Sequence, residues 1–227
     1  MPTKLQILNS EVVGCELCPR LRDHCREVGV VKRRAYLDWE YWAKPVPGFG
    51  DPEARVLVIG LAPGAHGANR TGRMFTGDKS GEFLYRALYE TGFASQADSS
   101  SRDDGLKLSG MYITASGRCA PPDNKPTPEE LRRCRPYLER ELALLSEVRV
   151  VVALGGIAFH TYLSALRDQG VIGNLAGFKF GHGAEYLLPG GVHLIASYHP
   201  SQQNTSTGKL RREMLREVFA RARELAG

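Results

Sequence analysis

The sequence predicts a three-layer α/β/α sandwich, and two observations predict it. Four short, β-branched apolar runs recur between turns marked by Gly and Pro, and segments of helical period lie between them. Each run is apolar at successive rather than alternate positions, which is the pattern of a parallel strand covered on both faces.

The strands are expected at 55–59 (RVLVI), 111–114 (MYIT), 149–154 (RVVVAL) and 192–196 (VHLIA). Helices are expected at 80–91, 128–145, 156–168 and 209–225. In the last of these Leu210, Met214, Val218, Phe219, Ala222 and Leu225 keep one face apolar, while Arg211, Arg212, Arg216 and Arg223 crowd the other. Outside the core, residues 94–105 (ASQADSSSRDDG) read as a flexible surface loop, and the Gly-rich 173–191 reads as a hairpin or loop. Residues 1–50 hold three of the five cysteines and an aromatic stretch containing Tyr36, Trp39, Tyr41 and Trp42. None of these segments reads as an independent domain, so the chain is expected to form one domain over 1–227, with 1–50 as an amino-terminal extension.

Composition bounds the function. The chain has 227 residues, with 42% hydrophobic and 24% charged, the balance of a globular protein with a real core. No stretch approaches the roughly 18 apolar residues of a membrane span, and the first residues lack the apolar core of a secretory signal. A soluble, cytoplasmic protein without a membrane partner is expected. Net charge is +5, and 22 of the 30 cations are Arg. Arginine forks match phosphate oxygens two at a time, which admits a polyanionic partner, though so mild an excess also follows from composition alone.

Disulfides are not expected in a reducing compartment, so the cysteines are core residues, metal ligands or catalytic thiols. Cys15 and Cys18 have the two-residue spacing that lets one turn of backbone deliver both sulfurs to one centre. Cys119 and Cys134 follow about a hundred residues later as a wide-set pair. Cys134 shares a helical face with Leu131, Leu138, Leu142 and Leu145, so a buried apolar thiol also fits it. Zinc and an iron–sulfur cluster both accept four thiolates; the wide second pair leans toward the cluster. Cys25 is read as structural.

Two loops stand beyond the carboxyl ends of expected strands, where open parallel sheets bind ligands. The first, Gly60-Leu61-Ala62-Pro63-Gly64 continuing to Arg73, is neither a Walker loop nor a dinucleotide fingerprint. Its glycines let backbone amides approach a ligand, and Arg70 and Arg73 are placed to meet phosphates. The second, Ser197 to Thr205, presents His199 in the extended conformation imposed by Pro200.

Taken in order, Gly60 to Gly64, Gly72-Arg73-Met74-Phe75-Thr76-Gly77-Asp78, the four cysteines, Arg118-Cys119-Ala120-Pro121-Pro122 and Tyr198-His199-Pro200-Ser201 resemble the uracil-DNA glycosylase superfamily, and most closely its iron–sulfur type-5 branch. The resemblance covers nearly the whole chain. It implies a four-stranded parallel sheet, a 4Fe-4S cluster on Cys15, Cys18, Cys119 and Cys134, and excision of uracil and related deaminated bases from double- and single-stranded DNA by a monomer at the nucleoid. Phe75 would stack on the flipped base, with Gly60, Ala62, Gly64 and Ala115 lining its pocket, and His199 would donate to uracil O2. His66, Arg70, Arg73, Ser201, Gln202, Gln203 and Asn204 would face DNA, and Gln202 or Gln203 would enter the space the base vacates.

Two departures from the family pattern carry chemistry. Many relatives have Asp or Asn where this chain has Ala62, which excludes water activation by a carboxylate at that position. Either the bond ionises first and a passively placed water captures the sugar, or His66, Asn69 or Asp78 assists. Relatives also often carry an Asn near Ala115 to read the uracil edge. Its absence predicts looser discrimination and activity on deaminated purines such as hypoxanthine. A phosphodiester hydrolase and a non-catalytic damage-binding module are the rival readings.

Overall fold

The computed structural model describes residues 1–227. The chain begins with two helices, α1 (Lys4–Val13) and α2 (Pro19–Val31), and then alternates. Strand β1 (Phe49–Gly50) leads to β2 (Val56–Gly60), the one-turn α3 (Ala68–Thr71), α4 (Lys79–Glu90) and β3 (Met111–Ala115). There follow α5 (Pro128–Leu144), β4 (Val150–Leu154), α6 (Gly156–Asp168), β5 (Glu185–Leu187), β6 (His193–Ser197), α7 (Gln202–Ser206) and α8 (Arg212–Ala226).

The four apolar runs are the four parallel strands of the sheet centre. The order is β1-β3-β2-β4-β6-β5, with β3, β2, β4 and β6 parallel and in step: Val56 stands beside Met111 on one side and Val150 on the other, and Val150 beside His193. The short edge strands β1 and β5 pair antiparallel and were not read as strands from the sequence. They are only two and three residues long, too brief to show a period.

Strand alternation divides the core into its two layers. Val56, Val58, Ile113, Val150, Val152 and Ile195 face Leu84, Leu88, Leu215, Val218 and Phe219 of α4 and α8. Leu57, Ile59, Tyr112, Val151, Ala153 and Leu194 face Leu138, Phe159, Tyr162 and Leu163 of α5 and α6. Helix starts follow their capping residues: Asp78 accepts from Gly81 N at α4, and Thr127 and Glu130 form a reciprocal box ahead of Pro128 at α5. No helix is long and apolar enough to cross a membrane.

The Ser/Asp-rich segment corrects an expectation. Residues 94–105 are pinned rather than loose: Asp104 accepts from the backbone N–H groups of Ser100, Ser101 and Leu106 and from both terminal nitrogens of Arg73. The Gly-rich 173–191 does contain one arm of a hairpin, β5 against β6.

Candidate active site and cysteine cavity

The loops after β2, β3 and β6 converge at the carboxyl end of the sheet on one open cleft. Ala62 and Gly64 come from the first loop, Ala115 from the end of β3, and His199 and Ser201 from the last loop, with Phe75 and Asp78 from the turn before α4. Gly60 lies directly beneath the ring of Phe75, so close that a Cβ there would stand 2.8 Å from it. Phe75 adopts a left-handed backbone (φ 51°), a conformation a bulky side chain rarely takes, and this turn aims its ring across the cleft. There it meets the imidazole of His199, ring centroids 5.7 Å apart.

His199 is held by its own backbone. Its carbonyl accepts from Asn204 Nδ2 at 2.9 Å. Burial of the ring pushes its pKa down to about 4, so at neutral pH it is an uncharged imidazole with one N–H to give. Asp78 is a partly buried carboxylate of the cleft lining, which Glu82 and Asp123 join. One oxygen caps α4 through Gly81 N, and the other lies over Gly67, where any Cβ would collide with it. Burial raises its pKa above the ordinary carboxylate value, against the pull of the backbone N–H groups of Gly81 and Ser80. His66 also lines the cleft, its Nδ1 3.0 Å from the Tyr41 hydroxyl; desolvation, with Arg33 and Arg70 nearby, lowers its pKa.

Four expected site residues lie elsewhere. Arg70 is 3% exposed: it donates to the carbonyls of His66 and Gly77, and its guanidinium lies over Tyr36 and Trp39 at 3.8 and 4.1 Å. Arg73 is 2% exposed and closes a fork onto Asp104 at 2.7 and 2.8 Å. Neither presents a charge to a phosphate; both pin loops that shape the cleft. Asn69 is fully buried behind the first loop, donating to the carbonyls of Cys25 and Ala65, and does not line the cleft. Asn204 turns inward to His199, while Gln202 and Gln203 stand exposed on the rim.

The sequence reading missed the cations that do reach the rim. Arg33, Lys79 and Lys125 are exposed there, Lys79 paired with Glu82, and Tyr36 also lines the cleft. Arg33 and Tyr36 come from the segment after α2, assigned from sequence to the extension alone. Lys125 follows Pro121 and Pro122 closely enough that the second cysteine loop was the available signal.

On the other side of that loop, Cys15, Cys18, Cys119 and Cys134 line one small cavity. No three metal-binding side chains lie close enough together to hold a metal ion. Arg22 and Arg118 line the same cavity. Burial pushes the Cys18 and Cys134 thiols up, Cys134 to about 11. Cys25 is buried off the cavity, its thiol directed at the Ala120 carbonyl, 3.6 Å away.

Residues 47–223 match the family model of the uracil DNA glycosylase superfamily. The chain belongs to that superfamily. It is 57% identical over 218 residues to a type-5 uracil-DNA glycosylase of Thermus thermophilus, covering 95% of each chain. It is 45% identical to a type-5 uracil-DNA glycosylase of Pyrobaculum aerophilum, over 96% of this chain and 92% of that one. A type-4 uracil-DNA glycosylase of Sulfurisphaera tokodaii is 25% identical over 98% of this chain and 84% of its own. Within this uracil-DNA glycosylase fold the two features the matched region brings together are the cleft, walled by Phe75 and His199, and the pinned loops beneath it.

Proposed function

We propose that the protein is a DNA glycosylase that hydrolyses the N-glycosidic bond of uracil in DNA and leaves an abasic site. The observation that carries this reading is the facing pair of Phe75 and His199 across a cleft at the carboxyl end of the sheet. A flipped pyrimidine needs an aromatic face to replace its lost stacking and a donor where charge develops; this pair offers both.

The uracil N1–C1′ bond breaks with its electron pair going to the base, and the charge spreads to O2. The neutral His199 N–H donates there, an interaction worth on the order of 3 kcal/mol in a desolvated site, or about a hundredfold in rate. Water then bonds to C1′ through oxygen. Ala62 cannot orient it; of the carboxylates that line the cleft, Glu82 and Asp123 are exposed, whereas Asp78 is partly buried. We assign Asp78 to hold that water and take up its proton, a role its raised pKa supports. Ala115 and Ala62 offer the base no side-chain hydrogen bonds, which supports acceptance of deaminated purines such as hypoxanthine as well as uracil. Gln202, Gln203 and Ser201, with Arg33 and Lys125, form the rim that would take the strand backbone, in duplex or single-stranded DNA.

We further propose a 4Fe-4S cluster on Cys15, Cys18, Cys119 and Cys134. The four sulfurs around one cavity supply the four-thiolate ligand set that such a cluster takes. Three arginine N–H groups buried without partners, Nη1 of Arg22 and Nε and Nη1 of Arg118, support an anionic tenant. The cluster would supply a covalent tie between the amino-terminal helices and the loop after β3, and the reaction needs no electron from it.

Incubating the protein with uracil-bearing and hypoxanthine-bearing duplexes, then with alkali, tests the reading. Alkali-dependent breaks at the modified base support it; direct nicking indicates a phosphodiester hydrolase, and an intact strand a binding module.

A further inference from the structure

We propose that Arg22 and Arg118 form a cationic clasp that donates hydrogen bonds to the sulfurs of the cluster, and that this clasp governs how tightly the cluster is retained and how easily it is reduced. The proposal rests on the cluster reading given above.

The two arginines reach the cavity from unrelated parts of the chain. Arg22 lies in α2, one turn beyond Cys18, and is 3% exposed; Arg118 precedes Cys119 after β3 and is 1% exposed. Each spends part of its guanidinium on a fixed protein partner. Arg22 donates through Nη2 to the Ala43 carbonyl at 3.1 Å and through Nε to Glu16. Arg118 donates through Nη2 to Glu141, a fully buried carboxylate that also accepts from Thr114 Oγ1 at 2.7 Å. The remaining nitrogens, Arg22 Nη1 and Arg118 Nε and Nη1, are buried with no acceptor. Buried guanidinium nitrogens are costly to leave unpaired, and three of them on two residues that line one cavity call for an acceptor.

The four cysteines line that cavity with them. Arg22 stands close enough to Cys119 and to Cys25 to act on both through its charge, and Arg118 does the same to Cys134. Each cation therefore bears on one ligand of the second pair, and Arg22 on Cys25 as well. The carboxylate on the cavity wall does not compete for them, because Glu130 is held by both Nε and Nη2 of Arg20 at 2.7 Å. A cubane held by four thiolates carries net negative charge, and its sulfurs accept hydrogen bonds. Donors to those sulfurs and positive charge beside them are the protein's levers on its potential. Reduction adds one more negative charge, so a buried cation favours the reduced state.

The test uses the full chain purified without oxygen: wild type, Arg22→Gln, Arg22→Lys and the double variant Arg118→Gln/Glu141→Gln, which leaves no buried charge alone. Iron and acid-labile sulfide are measured first, then release of iron to a chelator and the reduction potential by film voltammetry, with far-UV circular dichroism to establish folding. The expected result is a loaded wild type, with iron release about tenfold or more faster in Arg22→Gln. Its potential is lower than that of wild type, and Arg22→Lys falls between the two. Should the double variant not fold, the two Arg22 variants decide the matter. A loaded wild type whose release rate and potential match those of folded Arg22→Gln overturns the clasp alone. A wild type bearing zinc or no metal overturns the cluster reading and the clasp with it.

Discussion

Phe75 and His199 face one another across the cleft with ring centroids 5.7 Å apart and planes inclined by 33°. They come from loops over a hundred residues apart, and neither is held by the other. The left-handed turn of Phe75 is tied through its carbonyl to Ser99, whereas His199 is fixed through its carbonyl to Asn204. Each wall of the base site is thus set independently, so a variant on one wall leaves the other in place.

Replacing His199 with Ala is expected to lower single-turnover excision of uracil by about a hundredfold while leaving affinity for abasic DNA nearly unchanged. Rates and binding isotherms on matched duplexes check this. Equal loss of both would remove His199 from its assigned role.

Asp78→Asn keeps a helix-capping side chain at α4, because Asn caps about as well as Asp. The variant should therefore melt close to wild type yet excise about a hundredfold more slowly. In the wild type the acid limb of the rate profile should lie above the usual carboxylate range, since burial raises the Asp78 pKa. An unchanged rate in the variant would leave the water to passive capture.

The four parallel strands were legible because each is apolar on both faces, and Val56 to Ile59 could hardly be read otherwise. The two loops at their carboxyl ends followed from topology. The roles of Arg70, Arg73 and Asn204 were not legible. An arginine beside a glycine-rich loop looks like a phosphate ligand until its neighbours are known, and those neighbours, Tyr36, Trp39 and Asp104, lie about thirty residues away in segments without period. For the same reason Arg33 and Lys125, ordinary surface cations in sequence, reach the cleft only through the fold. The cysteines were legible as a set by spacing, but their sharing a cavity with two buried arginines was not.

The buried pair separates stability from binding. Arg73→Ala leaves the largely buried Asp104 without its ion-pair partner and should destabilise the fold by about 3–5 kcal/mol. The double variant Arg33→Ala/Lys125→Ala should melt normally, yet bind DNA more weakly, its salt dependence shallower by about 0.9 for each lost phosphate contact. Thermal melts and salt titrations of binding distinguish the two; a normal melt for Arg73→Ala would contradict its structural role.

Acid stability should fall in two windows. Burial holds His199 at about 4, whereas a free imidazole titrates near about 6.5, so the unfolded chain takes up a proton there first. The stability this gives is complete above pH about 6.5 and is lost as pH falls to about 4. Burial opposes ionisation of Asp104, but hydrogen bonds from Arg73, Leu106 and Ser100 outweigh it and hold its pKa at about 2. Its contribution is complete above about 3.9 and disappears on approach to about 2. Tm against pH should be flatter through the upper window in His199→Gln and through the lower one in Asp104→Asn; parallel curves would contradict both.

Ala115→Asn places an amide at the end of β3, facing the cleft. It should raise the ratio of uracil to hypoxanthine excision, measured as kcat/KM on paired substrates. A ratio that does not move would show that Ala115 does not set base selectivity.

Hydrolysis of the bond between uracil and deoxyribose leaves a signature that an oxygen label reads. A uracil-bearing duplex is treated with the protein in water enriched in oxygen-18, and the products are weighed by mass spectrometry. The expected products are free uracil without label and an abasic sugar with one labelled oxygen on an unbroken strand. A strand cut with uracil still attached, or a duplex returned intact, would contradict it.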